Sequence, residues 1–391
     1  MDLIIRQAMI AGYPGHQDIG IENGLITAIS PRLSASTSEE LSAEGRLVFP
    51  GFVDSHVHMD KAMTVTLDSF KNGTIAERVG HLNLLKTAFT KDDVCERGIA
   101  VAKLFARNGV LYIRTNVDVD PTVGLIGIEG MLEARERCKE FIHMQVFAFA
   151  QEGILRYPEV ENLLERALQL GASGVGGHSS IEPNGNRHID AIFKIAKKYR
   201  VDIDFHVDEN ADPQNSLLDY IISKTISEGY QGRVNAIHCA ALALMDPNQG
   251  DAAIKRLAAA GINVTVCPGV VAIDCPLAPI ERLMNHGVNV SFGADNIRDP
   301  INPLGTADPL ILSYLASHLQ KIFAKESILK LFAAVTTAGA NTLGLGGQYA
   351  IHPGQVADLV VLDCDTPERA ILDVPKRRDV IRAGRNIARL I

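Results

Sequence analysis

The sequence predicts an α/β protein: a (β/α)8 TIM barrel with a small β-sandwich built from both chain termini. The barrel is indicated by apolar, β-branched runs that alternate eight times with amphipathic helical patterns through the middle of the chain. The sandwich is indicated by short strand patterns with turn signals at both ends. We therefore expect a β-sandwich domain from residues 1–48 plus 349–391, and a barrel domain from residues 49–348.

The two ends of the chain carry patterns typical of short strands. Asn23-Gly24 is a strong hairpin-turn signal, and Gly384-Arg385 indicates a second hairpin near the other end. The strand-like segments cover residues 3–5, 18–22, 25–29, 357–362 and 380–383. Because these segments flank one large middle region, we expect them to assemble with each other.

The middle of the chain supplies the strands and helices of the predicted barrel. The predicted strands cover residues 47–57, 111–117, 144–151, 172–177, 201–207, 234–239, 262–267 and 288–293. The clearest amphipathic segments cover residues 90–108, 127–138, 160–170, 188–199, 214–228, 251–260 and 278–286. Nearly continuous apolar strands are typical of a parallel sheet that is covered on both faces.

Composition excludes several classes of function. The chain has 391 residues, 47% of them hydrophobic and 21% charged, and a formal net charge of −8. This charge gives no electrostatic basis for binding nucleic acid or an anionic membrane. We find no signal peptide and no apolar run of the ~20 residues that a membrane span needs. The six scattered cysteines indicate reduced thiols, so we expect a cytoplasmic protein.

Imidazole and carboxylate groups stand at the ends of several predicted strands, where barrel proteins of this type carry their functional residues. His56 and His58 alternate on the first strand, so both side chains point to the same side. Alone, this pair would indicate no more than a strand cap. His206, His238 and Asp295 end three further strands, however. Nitrogen and oxygen groups in this number predict a site for Zn²⁺, Fe²⁺ or Mn²⁺.

Longer motifs add a family resemblance. The segments are VDSHVHMDK, FAFAQEGILRYP, FHVDEN, IHCAAL and SFGADNIRDPINPLGTADPL. They resemble motifs of the amidohydrolase superfamily, and within it those of bacterial cytosine deaminases and triazine-degrading isopropylammelide hydrolases. The resemblance covers nearly the whole chain, including the split β-sandwich. The combination of motifs is more specific than any single one.

The resemblance implies a site for one divalent metal ion, Zn²⁺ or Fe²⁺, with Mn²⁺ also open. Its ligands would be His56, His58, His206 and Asp295. Relatives that hold two metals carry a carboxylated lysine at the end of the fourth strand. Here that strand ends in Gly177-His178 without a lysine, which favours a mononuclear site.

The resemblance also implies a hydrolytic deaminase of a small nitrogen heterocycle, either cytosine or a related pyrimidine or triazine. Glu209 would shuttle a proton from water to the leaving ammonia. His238 would orient the attacking water or help to deprotonate it, and Asp295 would accept a hydrogen bond from it. Gln151 would hydrogen-bond the substrate ring. The metal would make hydroxide available near neutral pH for attack on the ring C–NH₂ carbon.

Two positions depart from the cytosine deaminase pattern. Asn296 stands where those enzymes usually carry an aspartate that contacts the substrate, and Ile301 stands in place of a tryptophan. An amide can donate as well as accept, so Asn296 would recognise a different ring edge. Lys61 and His178 are further candidate substrate contacts, whereas Asp118, at the end of the second strand, is interpreted as structural.

Alternative functions keep the same barrel. A hydrolase of a cyclic amide, or of an N-alkylamino-triazine, would use the same hydroxide with a different leaving group. A non-catalytic barrel would have lost a ligand or the shuttle, and all of them are present. The expected partner is therefore a small heterocyclic substrate, with no nucleic acid and no membrane. The resemblance leaves a homo-oligomer open.

Overall fold

The central feature of the molecule is a parallel sheet that curls into a barrel. The computed structural model describes residues 1–37, 39–270, 275–388 and 390–391. Within those residues, eight parallel strands pair in chain order and helices lie between successive strands. An isolated parallel bridge joins Val57 to Asp295 and brings the first strand to the last. The predicted barrel with a small terminal β-structure is confirmed.

The elements are numbered in chain order over the described residues. The strands are β1 (Leu3–Met9), β2 (His16–Glu22), β3 (Leu25–Ser30), β4 (Glu40–Ser42), β5 (Val48–Pro50), β6 (Phe52–Val57), β7 (Val110–Asp118), β8 (His143–Ala150), β9 (Gly174–His178), β10 (Asp202–Val207), β11 (Val234–His238), β12 (Asn263–Val266), β13 (Val290–Phe292), β14 (Leu359–Leu362), β15 (Arg377–Arg382) and β16 (Arg385–Asn386). The helices are α1 (Ile75–Lys86), α2 (Lys91–Arg107), α3 (Ile126–Cys138), α4 (Glu159–Leu170), α5 (Gly185–Tyr199), α6 (Leu218–Ser227), α7 (Pro247–Ala259), α8 (Ile280–Asn285), α9 (Pro309–Gln320), α10 (Lys325–Ala334), α11 (Thr337–Thr342) and α12 (Pro367–Asp373). No helix among the described residues is both long enough and apolar enough to cross a membrane.

Two small sheets from the chain termini pack against each other. One has the strand order β3-β2-β1-β4 and the other β16-β15-β14-β5. Ile5 and Ile19 of the first sheet share a buried apolar cluster with Val48 and Leu359 of the second. The turn at Asn23-Gly24 has positive φ values at both residues, as the predicted hairpin requires.

The first predicted strand, residues 47–57, is two strands in the structure. β5 pairs with β14 in a terminal sheet, whereas β6 pairs with β7 in the barrel. The break falls at Gly51, directly after Pro50, which is the last residue of β5 and pairs with Leu359. The Tyr349 hydroxyl donates here, lying 2.8 Å from the carbonyl oxygen of Gly51. Tyr112 of β7 donates to Asp358, with the oxygens 2.7 Å apart, and so ties the barrel to β14.

The sequence patterns do not predict helix α1. Its start nevertheless carries a recognisable signal. Thr74 caps the backbone N–H of Glu77, and the Glu77 carboxylate accepts from the backbone N–H of Thr74. The helix buries few of its residues, so its apolar periodicity is weak. It lies over the carboxyl ends of the barrel strands, where it contributes to the pocket described below.

An ion pair crosses the interior of the barrel. Arg114 of β7 donates to Asp204 of β10 with Nη1 2.8 Å from Oδ1, and it donates to Gln145 of β8 at 2.9 Å. Its guanidinium also lies 4.2 Å from the ring centroid of Phe147. Both charged side chains are buried, so each depends on the other for compensation.

Replacing Arg114 with methionine is expected to destabilise the fold by about 3–5 kcal/mol, because Asp204 would be left as a buried unpaired charge. Urea denaturation followed by circular dichroism measures the loss. Arg256→Met, which breaks the exposed pair between Arg256 and Asp219, is the control and should cost under about 1 kcal/mol. Equal losses of unfolding free energy in the two variants would contradict the view that Arg114 compensates a buried charge on Asp204.

Candidate active site

The four predicted metal ligands meet at the carboxyl ends of the barrel strands. His56 Nε2 lies 3.2 Å from His206 Nε2. Asp295 Oδ1 lies 3.4 Å from His56 Nε2 and 3.5 Å from His58 Nε2. All four side chains are buried. The structure therefore brings together in one cluster residues that lie far apart in the sequence.

Backbone contacts between the ends of β6 and β13 hold part of this cluster. The His58 N–H donates to the Asp295 carbonyl at 2.8 Å, and the Asp295 N–H donates to the His56 carbonyl at 2.9 Å. Asp54 adds a side-chain link, because its carboxylate accepts from the backbone N–H of Ala294 at 2.9 Å and from that of His56 at 3.2 Å. The contacts that close the barrel thus also position three of the four ligand residues.

The protonation of the cluster fits a divalent cation. His58 Nδ1 donates to the Asn116 carbonyl at 2.8 Å, which leaves Nε2 as an acceptor facing the cluster. Burial lowers the pKa of His206 to about 3 and holds the pKa of His58 well below its ordinary value. Burial alone would raise the pKa of Asp295, but a hydrogen bond from His56 and the charges of His56, His238 and His206 together outweigh it and lower the pKa. Neutral imidazoles and an ionised carboxylate are the forms that ligate a metal ion.

Glu209 and His238 lie directly beside the ligand cluster. Glu209 Oε2 is 3.6 Å from His206 Nδ1 and 3.3 Å from His178 Nε2. His238 Nε2 is 3.9 Å from Glu209 Oε1 and 3.8 Å from Asp295 Oδ2. Burial alone would raise the pKa of Glu209, but the neighbouring histidines outweigh it and hold that pKa well below its usual range. Glu209 is therefore an ionised acceptor next to the predicted metal position.

A cavity of about 310 Å³ opens over the cluster and is lined by Gln151, His178, Glu209 and Asn296, together with Lys61. Gln151 Nε2 lies 3.3 Å from His178 Nδ1. With the amide donating to His178, Gln151 Oε1 is buried and has no hydrogen-bond partner among the described residues. The four predicted substrate contacts and the predicted proton shuttle Glu209 therefore line this cavity, whereas His238 lies beside Glu209 without lining it.

Asn296 is held by Asp299, a residue of the loop after β13. Its Nδ2 donates to Asp299 Oδ2 at 2.5 Å, and Asp299 Oδ1 accepts from the backbone N–H groups of Ile301 and Asn302 at 2.8 and 3.0 Å. Burial raises the pKa of Asp299 to about 6. In the sequence, Asp299 is a weak signal of a functional residue, because it lies several residues after a strand end and before a proline. Its contact with Asn296 is identified by the loop geometry alone.

Lys61 and its partner Asp118 both line the cavity. Lys61 Nζ lies 2.9 Å from Asp118 Oδ1, and Lys86 of α1 lies 2.9 Å from Asp118 Oδ2. Lys86 also pairs with Asp120. Burial would raise the pKa of Asp118, but the two lysines lower it to about 2. Asp118, interpreted as structural, therefore anchors both Lys61 and the last turn of α1.

One wall of the cavity is apolar. Ile75, Val79 and Leu82 face it from α1, and Ile301 faces it from the loop after β13. Ile75 and Val79 remain 38% and 37% exposed. Leu82 and Ile301 belong to one small buried cluster with Ile237 of β11. The cavity thus has a polar side near Gln151 and a branched aliphatic side under α1.

The fold and this site define the class of the protein: a barrel hydrolase with a histidine and aspartate cluster at the carboxyl ends of its strands. The chain belongs to the amidohydrolase family, whose model matches residues 72–388. It is thus an enzyme of the amidohydrolase type, which excludes a non-catalytic barrel. The resemblance inferred from the motifs is confirmed.

Individual relatives narrow the comparison. The chain is 34% identical over 396 residues to the N-isopropylammelide isopropyl amidohydrolase of Pseudomonas sp. (strain ADP), covering 99% of this chain and 97% of that one. The structure of 5-methylcytosine deaminase from Klebsiella pneumoniae liganded with 5-fluorocytosine superposes with a TM-score of 0.93 at 26% identity, covering 98% and 97% of the two chains. N-isopropylammelide isopropylaminohydrolase from Burkholderia multivorans superposes with a TM-score of 0.89 at 28% identity, covering 99% and 98%.

Proposed function

We propose that this protein is a metal-dependent hydrolase that removes an amino group from a small nitrogen heterocycle, a pyrimidine or triazine, with release of ammonia. His56, His58, His206 and Asp295 hold one divalent ion, Zn²⁺, Fe²⁺ or Mn²⁺. This class of substrate is supported by the 5-methylcytosine deaminase and the N-isopropylammelide hydrolases, which are similar to this chain over nearly its whole length. A cavity of about 310 Å³ suits a single ring.

The observation that carries the proposal is the position of Glu209. Its carboxylate contacts His206 of the ligand cluster and His178 of the cavity wall, and it lies 3.9 Å from His238. It therefore bridges the predicted metal position and the space for the ring. A structural carboxylate needs no such position, whereas a group that moves a proton from water to a leaving nitrogen does.

Each residue of the site has a separate role in the proposed reaction. The ion, when bound, supplies Lewis acidity and makes hydroxide available near neutral pH. Glu209 takes a proton from the attacking water and delivers it to the leaving nitrogen, which then departs as ammonia. His238 and Asp295 orient the water, and His238 donates to the charge that develops on the ring. Gln151 and Asn296 hold the ring edge, with Lys61 and His178 behind them.

The test is a panel of rings with two readouts. Enzyme reconstituted separately with Zn²⁺, Fe²⁺ or Mn²⁺ is assayed against cytosine, 5-substituted cytosines, isocytosine, aminotriazines and N-alkylaminotriazines. Ammonia and alkylamines are measured in parallel, and the metal-free protein is the control. Metal-dependent release of ammonia supports deamination. Metal bound at one ion per chain with neither product released from any ring would contradict the proposal.

A second candidate, removal of an alkylamine from the ring, is favoured by one specific feature. The wall formed by Ile75, Val79, Leu82 and Ile301 offers branched aliphatic contacts beside the reaction centre. Each buried methylene contributes about 0.8 kcal/mol. The same proton transfer by Glu209 serves this reaction, so the panel's alkylamine readout distinguishes the two candidates.

Changing Asn296 to aspartate is expected to move selectivity toward cytosine by about tenfold in kcat/KM relative to an aminotriazine. The change replaces an amide by a carboxylate that only accepts hydrogen bonds when ionised, and a discriminating hydrogen bond accounts for about this factor. Competition assays with both rings measure the ratio. Asn285→Asp, in an exposed helix end, is the control. An unchanged ratio would remove Asn296 from ring recognition.

A further inference from the structure

A buried, hydrogen-bonded pair of side chains, Glu182 and His188, lies behind the polar wall of the cavity and has no part in the chemistry described above. We propose that Glu182 and His188 are positioning residues that hold Gln151 and His178 in place for ring recognition. This inference depends on the proposed function for its substrate, but not for its geometry. Neither residue lines the cavity, so both act through the backbone segments that carry Gln151 and His178.

Glu182 joins the loop after β8 to the loop after β9. Its Oε1 accepts from the backbone N–H groups of Ile154 and Leu155, the second at 3.0 Å. The same oxygen lies 2.8 Å from His188 Nδ1 on α5. Both side chains are fully buried. Burial alone would raise the pKa of Glu182, but the hydrogen bonds from His188 and the two backbone groups lower it. An ionised carboxylate therefore holds the loop through charge-assisted hydrogen bonds.

The pair is packed tightly under both loops. Gly153 has a φ of +99°, and a Cβ at that position would lie 2.7 Å from Glu182 Oε1. A Cβ at Gly177 would lie 2.3 Å from His188 Nε2. Only glycine therefore allows each backbone to approach the pair this closely. Glu182 thus packs against the chain at Gly153 in the loop after β8, and His188 packs against Gly177 within β9.

These two glycines adjoin the recognition residues. Gln151 precedes Gly153 by two positions, and His178 directly follows Gly177. The two side chains then contact each other, with Gln151 Nε2 3.3 Å from His178 Nδ1. His178 Nε2 lies 3.3 Å from Glu209 Oε2. A displacement of the loop after β8 or of the end of β9 would thus move Gln151, whose buried Oε1 has no hydrogen-bond partner among the described residues.

The experiment combines hydrogen exchange with a double-mutant cycle. Glu182→Ala and Glu182→Gln are prepared in the full-length enzyme, each with Gln151 intact and with Gln151→Ala. Amide exchange of peptides spanning residues 151–157 is measured with and without metal, and kcat and KM are measured for the best ring of the panel. Glu161→Gln, on the helix that follows this loop and paired with Lys194 at the surface, is the matched control.

We expect Glu182→Ala to speed exchange at Ile154 and Leu155 and to raise KM about tenfold, with a smaller effect on kcat. Glu182→Gln keeps an acceptor for the two backbone groups, so it should recover part of both effects. In the Gln151→Ala background, Glu182→Ala should change KM by less than about twofold, because the group through which it acts is already gone.

Two results would overturn the proposal. One is unchanged exchange in residues 151–157 for both Glu182 variants. The other is a KM effect of equal size with and without Gln151, which would indicate a purely structural role. If Glu182→Ala does not fold, the same exchange and KM measurements on Glu182→Gln and His188→Gln test the proposal. The exchange measurement needs no substrate, so an absence of turnover would count against the proposed function and not against this pair.

Discussion

Replacing Glu209 with glutamine should lower kcat by about 10²- to 10⁴-fold while the protein still binds one metal ion. An amide of the same shape can fill the space, but it cannot accept a proton from water and deliver it to the leaving nitrogen. Steady-state kinetics on the best ring, with metal content measured on the same sample, tests this result. KM should change much less than kcat, because Glu209 acts in the transition state.

The control for this variant is Glu140→Gln, an exposed glutamate that should leave kcat unchanged. A Glu209→Gln enzyme with a near-normal rate would contradict the shuttle assignment. Loss of metal together with activity would instead show that Glu209 supports the ligand cluster. That outcome is open to test because Glu209 Oε2 lies 3.6 Å from His206 Nδ1.

Removal of the metal by a chelator is expected to abolish turnover, by at least about 10³-fold, since the ion supplies several kcal/mol of charge stabilisation. Adding back Zn²⁺, Fe²⁺ or Mn²⁺ should restore it. The activity of the His206→Ala variant should not be restored by added metal, because the substitution removes a nitrogen that lies 3.2 Å from His56 Nε2 at the centre of the cluster. Activity and metal content after each addition are the measurements.

His352→Ala serves as the control, since His352 is exposed and its ring hydrogen-bonds to the neighbouring Pro353 and Gln355. It should lose and regain activity as the unaltered enzyme does. Full activity in the chelated protein, with no metal detected, would contradict a metal-dependent reaction for this chain. Full recovery of His206→Ala at ordinary metal concentrations would remove His206 from the ligand set.

The sequence predicts much of the fold and groups the main residues of the candidate site, because the barrel strands can be located from their apolar pattern and the candidate residues lie at the ends of those strands. Residues at the carboxyl ends of parallel barrel strands converge in space, so His56, His206, His238 and Asp295 can be grouped without knowing any distance. The strand pattern is also strong, since buried parallel strands are nearly all apolar. The main error, one strand at residues 47–57, arose because both halves are apolar and only Pro50-Gly51 marks the break.

The residues that support the site could not be predicted in the same way. Helix α1 is missed because it covers a cavity and buries few side chains, so it has little of the periodicity that marks a helix. Asp299 and Glu182 both accept hydrogen bonds from loop backbone, and their partners depend on loop paths that no periodic pattern encodes. Lys86 is a similar case, because nothing in an exposed-looking helix end indicates a buried contact with Asp118.

The short break between β5 and β6 connects a terminal sheet directly to the first strand of the barrel. Val48–Pro50 is a strand of the small β-structure, and Phe52–Val57 leads straight to His56 and His58. Tyr349 holds the junction, and β14 from the far end of the chain pairs with β5. A chain shortened at its carboxyl end would therefore lose more than a peripheral sheet. It would release the base of the strand that carries two metal-ligand candidates, so Tyr349 and β14 support β6 from outside the barrel.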